Sequence, residues 1–261
     1  MLGKNKNMAS VVKKLNVGVV FPLLNCLKYT KAAVASLKSY HNLKIIFIDN
    51  GSDDGTVEWL KKIAGTRGIG VMFNLQNLGV ARSWNIGISA CYEKIGCDFV
   101  LVANNDILFH ENTVDSLVER IKGLEAGILT PYNLSGELVK PEDIFDDIVH
   151  LPEKIEPAPD FSCFMISKKC FYSVGPFDER FYPAYFEDND YHYRMKLKKF
   201  KALKTRQAVY YHYGSRTLKE SEEVKSNCDA GYLKNRDYYK RKWGGIPGKE
   251  KFKKPFNGGA F

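Results

Sequence analysis

The chain has 261 residues with 39 Lys and Arg against 30 Asp and Glu, a formal charge of +9 at pH 7. A hydrophobic share of 44% with 26% charged residues excludes global disorder, and the length is ample for one large domain or two small ones around a buried core. The longest apolar run, residues 17–24, falls far short of the roughly 20 residues that cross a bilayer as a helix, and no cleavable leader is recognisable, so a cytoplasmic protein without a membrane span is expected.

Residues 17–21 form an apolar run closed by Pro22, the pattern of a buried strand. A helix over 28–39 and a second strand over 43–48 follow. The turn-forming stretch 49–55 leads into an amphipathic helix over 56–63, then a strand over 69–73, a helix over 79–92 and a strand over 98–103. This alternation predicts an α/β layer structure with a mostly parallel sheet and helices on both faces. Beyond it come a helix over 111–122 and a strand over 127–130. Residues 141–160 carry eight charges, seven of them acidic, among four prolines, and read as an exposed connecting region. A strand over 161–166, a turn through 175–178, a helix over 187–199 and a strand over 208–213 complete the pattern. The tail from about residue 240 is rich in Lys and Gly and lacks an apolar period.

In open sheets of this kind ligands bind beyond the carboxyl ends of the strands. Each early strand ends there in polar residues: Pro22 and Asn25, then Asp49 and Asn50, then Asn77, then Asn104, Asn105 and Asp106. A carboxylate on a short turn at that rim can ligate a hard divalent cation whose other sites are filled by water and phosphate oxygens. The Asp49 turn also reads as a helix cap, with Ser52 or Asp53 capping. Glu187, Asp188 and Asp190 place three carboxyls within four positions beside Phe181, Tyr182, Tyr185, Phe186 and Tyr191. Such clusters are often dipole-friendly helix starts, but aromatic surroundings can raise a carboxyl pKa enough to make a general base. His212 ends an apolar strand, where a histidine is usually a structural hydrogen-bonder; His41, His110, His150 and His192 take that reading too. Six cysteines without a C-x-x-C pair are expected to be reduced and buried, and zinc binding is not expected.

The charge is unevenly distributed. Residues 1–190 hold 20 basic and 24 acidic side chains, whereas residues 191–261 hold 19 and 6; a small basic cluster (Lys4, Lys6, Lys13, Lys14) also sits at the start. The basic end fits an anionic partner, either nucleic acid or an acidic membrane surface, or simply a solvated basic face. Six basic residues and no acidic one fall within 194–204. Aromatics interleave with later lysines, as suits a phosphate backbone with stacked bases or a lipid phosphate.

Taken in order, residues 17–25, 49–56, 77–87, 104–106, 175–181, 187–190 and His212 resemble the nucleotide-sugar-dependent glycosyltransferases of family 2, over about residues 16–245. The resemblance implies the GT-A (Rossmann-like) fold, with a nucleotide-sugar-binding half over 16–106 and a smaller acceptor-side, catalytic half over 107–245. A basic segment 1–15 precedes it and a basic tail 246–261 follows. It implies that Pro22, Asn25, Asp49 and Asn50 line the base and ribose site, and that Asn77, Gly79, Arg82 and Asn85 shape the nucleotide pocket. Asn104, Asn105 and Asp106 stand where the family has an Asp-x-Asp metal motif. Asp106 keeps the carboxylate, and Asn104 replaces the first Asp. His212 would complete the metal or diphosphate site, with Mn²⁺ or Mg²⁺ as the metal. The donor implied is a UDP-sugar first, with dTDP- and GDP-sugars as alternatives. Asp188 would be the base of an inverting hexosyl transfer and Glu187 the second candidate.

The acceptor would be a hydroxyl of a glycan, a lipid-linked sugar at a membrane surface or a modified nucleic acid. Transfer to hydroxymethylated DNA bases is one alternative, and a non-catalytic nucleotide- or nucleic-acid-binding module is another. A nucleotidyltransferase would need a Gly-rich basic loop after the first strand, and a dinucleotide oxidoreductase G-x-G-x-x-G there. The chain has Pro22-Leu23-Leu24-Asn25 instead.

Overall fold

Alternate residues of the first strand feed two different cores. In β1 (Asn16–Leu23), Val17, Val19, Phe21 and Leu23 point to one face of the sheet and Val20 to the other, as the period of two requires. The structure, a computed structural model, describes residues 13–136, 140–145, 154–157, 159–214, 216 and 222–259. The remaining strands are β2 (Asn42–Asp49), β3 (Ile69–Phe73), β4 (Phe99–Ala103), β5 (Ile107–Phe109), β6 (Ile128–Asn133), β7 (Ile155–Glu156), β8 (Cys163–Ser167) and β9 (Ala202–His212). The helices are α1 (Leu27–Ser36), α2 (Thr56–Ile63), α3 (Val80–Ser89), α4 (Thr113–Leu124), α5 (Lys168–Val174), α6 (Glu187–Leu197) and α7 (Glu222–Trp243).

All pair into one sheet of order β3-β2-β1-β4-β8-β6-β9-β5, with β7 beside β9. Helices α1, α2 and α4 cover one face through Ala33, Leu60, Leu117 and Ile121. Helices α3 and α6 cover the other through Ala81, Trp84, Ile88, Tyr191 and Met195. A Cβ on Gly87 of α3 would lie 2.2 Å from Val20 Cγ1, so this glycine lets the helix rest directly on β1.

The parallel sheet expected from the sequence holds for β3-β2-β1-β4. Beyond β4 the sheet becomes mixed: β8 runs antiparallel to both β4 and β6, and β5 and β7 run antiparallel to β9, while β6 and β9 are parallel. The parallel part is built from strand–helix repeats, whereas β5 and β8 lack a helical crossover to their neighbours and enter from the opposite direction.

Residues 141–160 are less exposed than their composition suggests. Ile144 is fully buried against Leu108, Leu134 and Val209, while residues 146–153 and 158 lie outside the described residues. Lys4 and Lys6 also fall outside them. All six cysteines are buried, and none is in a disulfide. At the other end of the chain, residues 246–259 lie against the last helix: the N–H groups of Lys251 and Phe252 donate to the Trp243 carbonyl at 2.9 and 3.0 Å. Tyr193 Oη donates to the Phe252 carbonyl at 2.9 Å. Among the described residues, no helix is long and apolar enough to cross a membrane.

Candidate active site

The carboxyl ends of β1, β2 and β4, the start of α3 and the start of α6 surround a cleft of about 330 Å³. Pro22, Asn50, Asn77, Gly79, Asn104, Asn105 and Asp106 line it on one side, and Glu187 and Asp188 on the other. An adjoining cavity of about 240 Å³ shares Asn50 and Asn77 and adds Asn25, Gly51, Asp53 and Gln76.

Much of this rim is held by its own side chains. Asn25, in the left-handed region at φ 59°, accepts the Asp53 N–H at 2.8 Å, and its own N–H donates to Ser52 Oγ at 2.7 Å. Asn105 donates to the Asn25 carbonyl and to Thr30 Oγ1, both at 3.0 Å. Asn50 donates to Ser83 Oγ at 3.0 Å and accepts from Asn74 Nδ2 and the Leu78 N–H. Asp49 lies beneath the rim, 1% exposed; its Oδ2 accepts the N–H groups of Gly51 and Ser52, and Oδ1 has no protein partner. Asn77 Oδ1 accepts the Gly79 N–H at 2.8 Å. Gly79 sits at φ 82°, and a Cβ there would lie 2.9 Å from the Tyr182 ring and 3.0 Å from the Pro183 carbonyl oxygen, so glycine is required twice over.

Besides Asp49, which lines neither cavity, two further residues expected in the pocket are placed elsewhere. Asn85 is buried beside the 175–180 turn, where it donates to the Phe177 carbonyl and Glu179 Oε1 and accepts the Phe177 N–H. Arg82 lies 3.8 Å from Glu179 with its side chain half-exposed. Neither lines the two cavities.

Asp106 and His212 are brought together by the β5–β9 pairing, in which Ile107 lies opposite His212. His212 Nε2 and Asp106 Oδ1 are 3.0 Å apart, and Asp106 Oδ2 accepts the Arg216 N–H at 2.9 Å. Burial acts to raise the Asp106 carboxyl, but the His212 contact and the backbone N–H groups outweigh it and hold it below its ordinary range. No group of three or more His, Cys, Asp and Glu side chains suited to a metal occurs among the described residues. The donor types nevertheless suit a hard cation: an ionised carboxylate and an imidazole, now in direct contact with each other, are ligands that Mn²⁺ or Mg²⁺ accepts.

The second acidic group follows two successive non-glycine residues in the left-handed region, Tyr185 at φ 79° and Phe186 at φ 73°. Glu187 is 6% exposed and its Oε2 has no protein partner. Burial, reinforced by the neighbouring Asp188 charge, pushes its carboxyl well above the usual range. Burial also raises Asp188, opposed by the Asn189 N–H at 2.7 Å and assisted by the charge of Asp160. Both therefore combine a basic carboxylate with an apolar wall, the environment of a general base.

Asp160 and Trp84 also line the cleft and were not singled out from the sequence. Asp160 accepts from Ser162 Oγ at 2.7 Å and Tyr210 Oη at 2.8 Å. Its only sequence signal was its place at the end of an acidic run, immediately before a strand.

Residues 18–161 match the model of glycosyl transferase family 2. Over 116 residues the chain is 24% identical to a glycosyltransferase, GlyG, of Streptococcus pneumoniae serotype 4, covering 43% of this chain and 37% of that protein. Among solved structures it resembles GalNAc-T7 with UDP, GalNAc and Mn²⁺ (TM-score 0.68, 15% identity, 89% of this chain and 48% of that one). It also resembles the mannosyltransferase PcManGT of Pyrobaculum calidifontis in complex with GDP-Man and Mn²⁺ (TM-score 0.60, 13% identity, 78% and 59%). TarS residues 1–349 of S. aureus give a TM-score of 0.56 at 15% identity, over 76% of this chain and 60% of that one. The chain thus spans between about a third and three fifths of the length of these proteins, and the structural likenesses establish the GT-A fold.

Because burial raises the Glu187 carboxyl above its value in the unfolded chain, it opposes folding as pH rises above the ordinary carboxylate range. Glu187→Gln is therefore expected to raise the thermal unfolding midpoint at pH 7 and leave it nearly unchanged at pH 4. Calorimetric scans at the two pH values check this.

Proposed function

Since the chain belongs to glycosyl transferase family 2, we propose that it transfers a hexosyl group from a nucleoside-diphosphate sugar to an acceptor hydroxyl, with metal dependence and inversion at the anomeric carbon. The observation that carries this reading is one cleft lined both by Asp106, the partner of His212, and by the raised Asp188 carboxyl. Similar solved structures hold UDP or GDP-Man together with Mn²⁺, which supports a nucleotide-sugar donor; of the two, a UDP-sugar is the donor we propose.

The adjoining cavity, with amides from Asn25, Asn50 and Gln76 and the Asp53 carboxyl, offers donors and acceptors suited to a base edge and ribose hydroxyls. Asp49 shapes it from beneath by fixing the Gly51–Ser52 turn. Asp106 and His212 would hold Mn²⁺ or Mg²⁺, which when bound neutralises the charge that develops on the departing diphosphate. Asp188, ionised, removes the proton of the acceptor hydroxyl. The freed oxygen forms its bond to the anomeric carbon from the face opposite the diphosphate, and the nucleoside diphosphate leaves with the electron pair of the broken C–O bond. Glu187, buried, presents its unpartnered Oε2 in the same wall.

This assignment predicts that Asp188→Asn reduces transfer by a factor of at least about 10³, in the range of losing a general base, and leaves donor affinity within about twofold. Turnover and calorimetric binding of a UDP-sugar with Mn²⁺ measure both. Near-parental turnover would remove Asp188 from the mechanism.

The acceptor is proposed to be anionic. Arg194 and Lys242 are engaged with buried carboxylates, but Lys196, Lys198, Lys199, Lys201, Lys249, Lys251, Lys253 and Lys254 are exposed, as are Leu197 and Ile246. A phosphate-bearing acceptor fits that surface, whether modified DNA or a lipid-linked sugar met by a cytoplasmic protein at a membrane face. Binding to duplex DNA and to anionic vesicles should fall steeply between 50 and 200 mM salt for the true acceptor class. Salt-independent or absent binding to both would leave a neutral glycan or protein acceptor.

A further inference from the structure

The last helix reaches the two cavities through Asn227 and Cys228 near its start, and further along one of its faces grips the segment that carries Asp188. Gly231, Asn235, Tyr238, Tyr239, Lys242 and Trp243 recur at the three- and four-residue spacing of a single helical face, and each meets the region between residues 178 and 193 or its neighbours. At Gly231 a Cβ would stand 2.7 Å from Pro183 Cδ and 3.0 Å from the Tyr182 carbonyl oxygen, so only glycine lets the helix come this close.

One turn further on, Asn235, 1% exposed, donates from Nδ2 to the carbonyls of Ala184 at 2.9 Å and Tyr185 at 3.2 Å. The Ala184 carbonyl immediately precedes the two left-handed residues, Tyr185 and Phe186, and the Tyr185 carbonyl lies between them. Such conformations cost free energy in non-glycine residues and persist only where the surroundings fix them. Tyr239 packs its ring on Phe186. Past the acidic pair, Lys242 Nζ lies 2.5 Å from Asp190 Oδ1 and 2.7 Å from Asp178 Oδ2. Trp243 Nε1 donates to Asp190 Oδ1 at 2.8 Å. The helix therefore holds the chain on both sides of residues 186–189.

We propose that Asn235 and Lys242 are positioning residues for the reaction: from one face of α7 they hold the left-handed turn and the first turn of α6 so that the Asp188 carboxyl is presented to the cleft. This inference rests on the reading of Asp188 as the base. Neither side chain itself lines the two cavities, so the two clamps act first on the placement of Asp188 and hence on the chemical step. Of the two, Asn235 is the cleaner probe, because it carries no charge and its donor can be removed at nearly constant volume.

The test compares the parent chain with Asn235→Leu, Asn235→Ala and, as a control on the exposed face of the same helix, Lys234→Ala. Turnover of a UDP-sugar with Mn²⁺, the donor KM, the unfolding midpoint and amide hydrogen exchange across residues 184–190 are measured for each. The expected result is a fall in kcat of about 10- to 100-fold, the scale of a misplacement near 1 Å. Donor KM should stay within about twofold, and exchange should quicken at 184–190. Lys234→Ala should match the parent in all four.

Asn235→Leu covers the case in which the alanine variant fails to fold. Lys242→Met, which removes the second clamp without touching the first, is expected to show the same split between kcat and KM. If folded Asn235 variants keep parental kcat, or lose kcat and KM together with unchanged exchange at 184–190, the positioning role is overturned while the functional reading stands. A parent chain inert towards every nucleotide sugar tested overturns the functional reading, and this inference with it.

Discussion

Asp190 is the point at which the segments between residues 175 and 243 are tied together. Fully buried, it receives Arg194 Nε at 2.8 Å on one oxygen, and Trp243 Nε1 and Lys242 Nζ on the other. Lys242 in turn bridges to Asp178, which Arg180 and Tyr238 also contact. Burial would raise the Asp178 carboxyl, yet these partners hold it far below its ordinary range. A buried cluster of this kind adds little net stability over well-packed apolar side chains, but removing one member strands a charge, at a cost of about 3–5 kcal/mol. What the cluster adds is geometry. It fixes the start of α6, the 175–180 turn and the end of α7 in one arrangement, and the raised carboxyls of Glu187 and Asp188 stand on that arrangement.

The rim at the ends of β1, β2 and β4 is organised differently. There the parallel strands end together, and neutral amides and backbone groups form the rim, with Asp106 as an ionised group at its far end. The two regions meet along β4–β8, where the sheet changes from parallel to antiparallel. That change brings Asp160, just ahead of β8, into the cleft beside residues from β1 and β4. The mixed sheet is thus what lets one cleft contain both a rim suited to a nucleotide and a wall of buried carboxyls.

The first half of the fold was legible because its strands are apolar runs punctuated by Asn, Asp and Gly, and because polar residues at successive strand ends must share one rim. Asp106 and His212 were legible as a pair through the family resemblance, and the β5–β9 pairing supplies their contact. Helix α7 left no such trace. Its buried face is made of Gly231, Asn235, Lys242 and aromatic residues, so a hydropathy period does not reveal it, and Lys242 reads as part of a basic tail although it is 4% exposed. Asn85 belongs to a motif whose neighbours line the cleft, yet its side chain faces the Phe177 backbone. Which way a single side chain turns depends on packing between segments about ninety residues apart, and local spacing does not carry that information.

In the proposed reaction one carboxylate, Asp188, acts alone as a base on the acceptor, so that the sugar is displaced once. The most direct measurement is the anomeric configuration of the first product formed, followed by proton NMR during transfer or slow hydrolysis of a nucleotide sugar of defined configuration. A single displacement predicts a product of the opposite anomeric configuration from the donor. A first product that retains the donor configuration would contradict it, because retention requires a second displacement or a different course of attack.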